Sequence, residues 1–259
     1  MWLGAALSAA GMDAVEIIAH RGASFDAPEN TLPAVRLAWE QDADAVEVDV
    51  FLSSDGRVVV SHDDNTKRVA GVNRKIGEQT LAELQALDAG AWKDARWAGT
   101  RIPTLEQVLR TVPEGKRLVV EIKDGPQILP ELERVLAASG KRSQTLLIGF
   151  SYELISAAKR RLPDLECYWL YGFSVSDRAR DGAAPWPLLI EKARAAGLEG
   201  LDVNYKGPLT KAAVDPIRAA GMKLYVYTLD DAEAARRMDE IGVAGVTTNR
   251  PQFLRRALE

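Results

Sequence analysis

Residues 45–51 read Ala-Val-Glu-Val-Asp-Val-Phe, and five residues later 57–62 read Arg-Val-Val-Val-Ser-His. Both runs are β-branched and bounded by turn residues, as strands are. Side chains alternate along a strand, so Glu47 and Asp49 share one face and Val46, Val48 and Val50 the other. A parallel crossover needs a dozen residues or more. Residues 52–56 are therefore expected to close an antiparallel hairpin, turning at Ser54-Asp55-Gly56. Folding back in this way brings His62 near Glu47 or Asp49.

Outward from this pair the chain alternates short strands with amphipathic helices. Further strands are expected at 15–19, 118–122, 146–150, 165–171, 200–204, 224–228 and 243–247. Helices are expected at 32–39, 105–110, 130–138, 152–161, 188–196, 211–220 and 231–241, with a short one at 81–87. Thr104 and Gln107 have capping-box spacing, and Gly197, Gly221 and Gly242 stand just past helices, as C-terminal caps do. Eight βα units in 259 residues favour one closed TIM-type (β/α)8 barrel over an open sheet. The hairpin adds an antiparallel strand, and 63–101 reads as a rim insertion too small for its own core. The whole chain, 1–259, then reads as one catalytic barrel domain. No glycine-rich dinucleotide fingerprint follows the first strand.

The net charge of −4 and the absence of a basic stripe speak against a nucleic-acid partner. No apolar run reaches the ~18 residues of a membrane span, so no stable membrane insertion is expected. Cys167, the single cysteine, cannot form an internal disulfide and lies in an apolar run, which reads as buried and inert. Residues 1–10 are apolar and small, like part of a secretory segment without its basic start. Met12 is an alternative start. The protein reads as cytoplasmic as written, and as exported if a longer N-terminus completes a signal peptide. The sequence leaves the oligomeric state open.

Barrel enzymes carry catalytic groups at the C-terminal ends of their strands. His20-Arg21-Gly22 ends the first strand, Glu47 and Asp49 lie on the second, His62-Asp63 ends the hairpin, and Glu121-Ile122-Lys123 ends the next strand. Both histidines of the chain fall at such ends. Three carboxylates meeting in a barrel mouth call for a hard divalent cation, calcium or magnesium, because isolated buried charge is costly. Taken singly, each of these residues is better explained as structural: Arg21 and Lys123 would simply pair with the acids. Taken together, three strand ends with the same class of group point to a site. Asn30 reads equally as a helix N-cap and as a substrate contact. Glu29 either orients His20 or Arg21 or has no role.

His20-Arg21-Gly22-Ala23, Pro28-Glu29-Asn30-Thr31, Glu47-Val48-Asp49, Asp55-Gly56, His62-Asp63 and Glu121-Ile122-Lys123 together resemble the glycerophosphodiester phosphodiesterase signature. The likeness continues through 84–90, Ile102-Pro103-Thr104-Leu105, Phe150 and Thr247-Thr248-Asn249-Arg250-Pro251, and so covers about residues 17–251. The resemblance implies that Glu47, Asp49 and Glu121 are metal ligands. It likewise implies that His20 and His62 are an acid/base pair and that Arg21 and Lys123 hold phosphate oxygens. The substrate would be a small glycerophosphodiester, attacked by water or by its own glycerol 2-hydroxyl. Two positions depart from the family pattern. Tyr227 stands where tryptophan is usual; it can still wall the pocket, with a hydroxyl that alters leaving-group preference. Asn249 stands where aspartate is frequent.

Competing readings are a related barrel phosphodiesterase acting on lysophospholipids or phosphoinositides, a non-catalytic barrel that binds a phosphoester, and a phosphomonoester isomerase. The first needs an apolar groove, for which Trp92 and Trp97 are candidates, although packing of the insertion explains them better. Simple binding needs no pair of histidines. The isomerase needs a glycine-rich loop after the last strands, which 227–230 and 248–250 lack.

Overall fold

The computed structural model of the chain describes residues 14–174 and 185–259. Residues 1–10 and Met12 lie outside them. Eight parallel strands close into a barrel: β1 (Glu16–His20), β2 (Ala45–Leu52), β4 (Arg117–Ile122), β5 (Thr145–Gly149), β6 (Glu166–Tyr171), β7 (Gly200–Asn204), β8 (Lys223–Tyr227) and β9 (Gly245–Thr248). Closure comes from β1, which pairs in parallel with both β2 and β9.

The period-2 pattern gives this barrel two separate apolar layers. Outward residues such as Ile17, Val46, Val48, Leu118, Val120, Leu201 and Val226 pack under the surrounding helices. Inward residues Ile18, Ala45, Val119, Leu146, Ile148, Tyr168, Leu170 and Tyr225 fill the lumen. Each fully buried aliphatic side chain contributes roughly 1.5–3 kcal/mol. Two facing tyrosines, Tyr168 and Tyr225, meet edge to face at 4.9 Å. Gly200 makes room for them: a Cβ there would sit 2.8 Å from the Tyr168 ring.

The antiparallel strand exists but is short. β3 (Val58–Val60) pairs with the top of β2 in the register Val50↔Val60, Phe51↔Val59 and Leu52↔Val58. Its place follows from lengths. β1 stops at His20, level with Glu47, so the upper edge of β2 on that side is free to take another strand. Gly56 makes the turn at φ 75°. Ser61, rather than His62, is level with Asp49, its N–H donating to the Asp49 carbonyl at 3.0 Å. His62 lies one step further, past the strand end.

Helices cover the barrel between strands. They include α1 (Leu32–Glu40) after β1, α2 (Lys67–Ala70), α3 (Leu81–Ala86), α4 (Leu105–Leu109), α5 (Leu129–Ser139), α6 (Tyr152–Arg161), α7 (Trp186–Ala195), α8 (Lys211–Ala219), α9 (Ala232–Glu240) and α10 (Pro251–Leu258). The Thr104–Gln107 capping box is formed on both sides, and Gly197, Gly221 and Gly242 take φ 69°, 76° and 86°. Residues between β3 and α4 gather around a small cluster of Val59, Ile76, Leu84, Ala89 and Ile102. Cys167 is buried, and burial pushes its thiol up to about 12. Among the described residues no helix is long and apolar enough to cross a membrane.

Candidate active site

β1 ends in a strained turn that aims Arg21 inward. Arg21 has φ 56° and Asn30 φ 57°, left-handed values that cost a non-glycine residue roughly 1–3 kcal/mol each and cluster at functional sites. Gly22 between them has φ 81°, and a Cβ on it would lie 2.5 Å from the Ala34 carbonyl carbon, so no other residue fits under α1. The turn presents the Arg21 N–H to Glu47 Oε2 at 2.9 Å, while the guanidinium reaches Glu29 at 2.9 Å and Asp49 at 3.4 Å.

Glu47, Asp49 and Glu121 converge. One carboxylate oxygen from each lies within 4.8 Å of the others. Asp49 and Glu121 are in register across β2 and β4, and strand parity turns all three inward. Each of the two β2 acids accepts a hydrogen bond from the protein on one oxygen and has none on the other. Asp49 Oδ2 accepts from Asn30 Nδ2 at 2.8 Å, yet Asp49 Oδ1 and Glu47 Oε1 are buried without a hydrogen-bond partner. Lys123 Nζ stands 3.0 Å from Glu121 and 3.6 Å from Asp49. Burial, with the charges of Asp49 and Glu121, pushes Glu47 well above the usual carboxylate range. Burial and then Asp49 raise Glu121 to about 7. Orphaned, mutually repelling oxygen donors of this kind fit a hard divalent cation.

The two histidines have fixed tautomers. Asn249 Nδ2 donates to Asp230 at 2.7 Å, so its Oδ1 faces His20 Nδ1 at 2.7 Å and Ser24 Oγ at 2.9 Å, and can only accept. His20 therefore carries its proton on Nδ1 and leaves Nε2 unprotonated. His62 Nδ1 meets the Asp63 carboxylate at 2.7 Å, so its Nδ1 likewise carries a proton. The second partner is charged and the first is neutral. Burial, reinforced by the Arg21 charge, holds His20 down at about 4.

His20, Arg21, Glu47, His62, Glu121, Lys123 and Tyr227 line one cavity of about 420 Å³, together with Ile148, Phe150, Leu170, Asp202, Asn204, Tyr205 and Lys206. Asp49, 1% exposed, does not itself line it. Tyr227 packs edge to face on Phe150 at 5.9 Å. Glu29 stands back from the cavity and holds Arg21 and Arg68. Asn30 is not the N-cap the sequence offered. Thr31 is the N-cap of α1, and Asn30 is a clamp on Asp49, bonding its side chain and its backbone N–H. The salt bridges expected under the structural reading do form, with Lys123 reaching Asp49 Oδ1 at 3.6 Å, but among the described residues none reaches Glu47 Oε1.

Sequence reasoning missed Asp202, the Asp230–Asn249 support of His20, and Arg68. Asp202 was reachable by the parity applied to Glu47, since Gly200, Asp202 and Asn204 share the inner face of β7. Arg68 had no local signal. It reaches Glu29 across 39 residues and also binds Asp63 at 2.7 Å.

The barrel mouth thus sets two cations, Arg21 and Lys123, beside a carboxylate cluster, with both imidazoles lining the same cavity. Residues 20–253 match the model of the glycerophosphoryl diester phosphodiesterase family. A glycerophosphodiester phosphodiesterase of Caldanaerobacter subterraneus subsp. tengcongensis is 32% identical, over 92% of this chain and 95% of the relative. Among solved structures, an Oleispira antarctica phosphodiesterase in complex with the product sn-glycerol-3-phosphate superimposes with TM-score 0.83, 30% identity and coverage of 95% and 97%. The Thermotoga maritima glycerophosphodiester phosphodiesterase gives TM-score 0.74, 28% identity and coverage of 94% and 98%. This chain belongs to the glycerophosphoryl diester phosphodiesterase family and is a phosphoric diester hydrolase.

Proposed function

We propose that the protein hydrolyses small glycerophosphodiesters to glycerol phosphate and an alcohol, with a divalent cation at Glu47, Asp49 and Glu121 and with His20 and His62 as base and acid. The observation that carries this reading is that both imidazoles line the cavity of Glu47 and Glu121 with their Nδ1 atoms already bound and Nε2 free. A bound calcium or magnesium ion would neutralise charge on the phosphoryl oxygens. Arg21 and Lys123 add positive charge at the same place. His20, neutral beside a neutral amide, takes the proton of the attacking hydroxyl as the new P–O bond forms. His62, its Nδ1 held by the Asp63 carboxylate, gives its Nε2 proton to the departing alkoxide as the old P–O bond breaks. Tyr227 walls the substrate, and Glu29 holds Arg21 in place.

The barrel is taken as the catalytic unit and residues 63–101 as its rim insertion, supported by the lean of the small cluster there on Val59 of β3. The test is a panel of glycerophosphodiesters assayed after chelation and readdition of calcium or magnesium. Turnover restored by a divalent ion is expected. Full turnover in excess chelator, or none with any diester and any ion, refutes the reading. An aryl diester with a good leaving group should rescue His62→Ala and not His20→Ala.

A further inference from the structure

One buried acid at the barrel mouth takes no part in the chemistry above. Asp202 is 2% exposed, lines the cavity, and has a buried Oδ1 with no hydrogen-bond partner. The orphaned oxygens of Glu47 and Asp49 belong to the carboxylate cluster; Asp202 does not. Its backbone neighbours Leu201 and Val203 face the outer core, so β7 directs it into the lumen. Its partners in register are Leu170 and Tyr225. Leu170 and Ile148 give the cavity an apolar surface in the same wall. A buried carboxyl with an empty hydrogen-bond position is costly unless a ligand completes it.

Resting on the phosphodiesterase reading, we propose that Asp202 is a specificity-determining residue that hydrogen-bonds a hydroxyl of the substrate's glycerol group. A carbon chain bearing hydroxyls matches an apolar wall with one acid in it. A hydroxyl also completes Asp202 in either protonation state, because it can both donate and accept. A cationic headgroup is the poorer match, since Lys206 lines the same cavity. Sites that hydrogen-bond a substrate hydroxyl discriminate strongly against analogues lacking it.

The experiment compares wild type with Asp202→Leu, Asp202→Ala and Asp202→Asn. Turnover of glycerophosphoglycerol, glycerophosphocholine and bis(p-nitrophenyl) phosphate is measured, with calorimetric affinity for sn-glycerol 3-phosphate and inorganic phosphate. In Asp202→Leu the kcat/KM ratio of either glycerophosphodiester to the aryl diester should fall at least about tenfold. The affinity ratio of glycerol 3-phosphate to phosphate should fall likewise. Asp202→Asn, which keeps hydrogen-bonding atoms, should lose less. If Asp202→Leu does not fold, Asp202→Ala carries the same expectation. Unchanged ratios overturn the proposal, because Asp202 would then act only through general electrostatics or packing. A loss confined to glycerophosphocholine also overturns it, in favour of a cation contact. If the wild type turns over no glycerophosphodiester, the proposed function fails, and the binding ratio alone decides the role of Asp202.

Discussion

The two ends of the barrel lumen carry similar groups to opposite effect. At the N-terminal floor, Arg117 sits among Glu16, Glu166, Tyr168 and Tyr225. It bonds Glu166 at 2.8 Å and the Tyr225 hydroxyl at 3.2 Å, and lies 3.7 Å from Glu16. Tyr168 donates to Glu166 at 2.9 Å, and Tyr225 donates to Glu16. The charges there answer one another. At the C-terminal mouth, Glu47, Asp49, Asp202 and Arg21 each keep a buried polar atom without a hydrogen-bond partner. A satisfied network stabilises, whereas an unsatisfied one holds its repulsion in reserve for a ligand. Satisfied and unsatisfied charge are thus divided between the ends of one lumen.

The largest break in this comparison should come from the mouth. Chelation is expected to take glycerophosphodiester turnover to background, and excess divalent ion to restore it. Glu47→Gln should require more ion for the same rate, with partial rescue at high concentration, measured by titrating activity against free metal.

Next in size are the histidines. His20→Ala and His62→Ala should each lower kcat by ~10²–10⁴-fold while leaving metal affinity nearly unchanged in calorimetry. The double variant should lose less than the product, because both groups serve one reaction. Equal release of metal by either substitution would make the histidines ligands instead.

The floor should respond in stability and not in chemistry. Arg117→Met leaves Glu16 and Glu166 facing each other. It should destabilise by roughly 1–3 kcal/mol, less than a fully dry pair because the network is partly open to solvent. Denaturant melts would measure this, and kcat of the folded fraction should stay within about twofold of wild type.

The smallest effect sharpens the electrostatic contrast. Without metal, burial and Asp49 raise Glu121 to about 7 from its ordinary 4.5. The folded state then binds more protons than the unfolded one between these values, so this contribution to stability is full below 4.5 and lost as pH rises to about 7. His20, lowered to about 4 from 6.5, works in the opposite sense, its contribution being full above 6.5 and lost as pH falls to about 4. The difference between wild type and Glu121→Gln isolates the first group. In chelator, the Tm advantage of the variant should grow from pH 4.5 to 7. An advantage flat with pH would show that the mouth carries no stored repulsion.

Much of this was legible in one dimension. Strand period, turn residues and the lengths between them identify the barrel, the hairpin at Gly56 and the inward parity of Glu47, Asp49 and Glu121. The same signals overextended β3 by counting Arg57, Ser61 and His62, because nothing local shows where β1 stops and the free edge of β2 begins. α10 was missed because its start, Arg250-Pro251, had been read only as part of a motif.

By itself, then, the sequence determined which side chains face the lumen, since backbone alternation needs no knowledge of neighbours. Only the tertiary structure decided what each of them meets there. His20 and Asn249 lie 229 residues apart and touch because β1 closes on β9. Arg68 reaches Glu29 over the rim, Asn30 becomes a clamp because its left-handed backbone turns it onto Asp49, and Asp202 remains without a partner at Oδ1. Hydrogen-bond partners depend on distances of a few tenths of an ångström between segments remote in the chain, and closure of the barrel sets those distances.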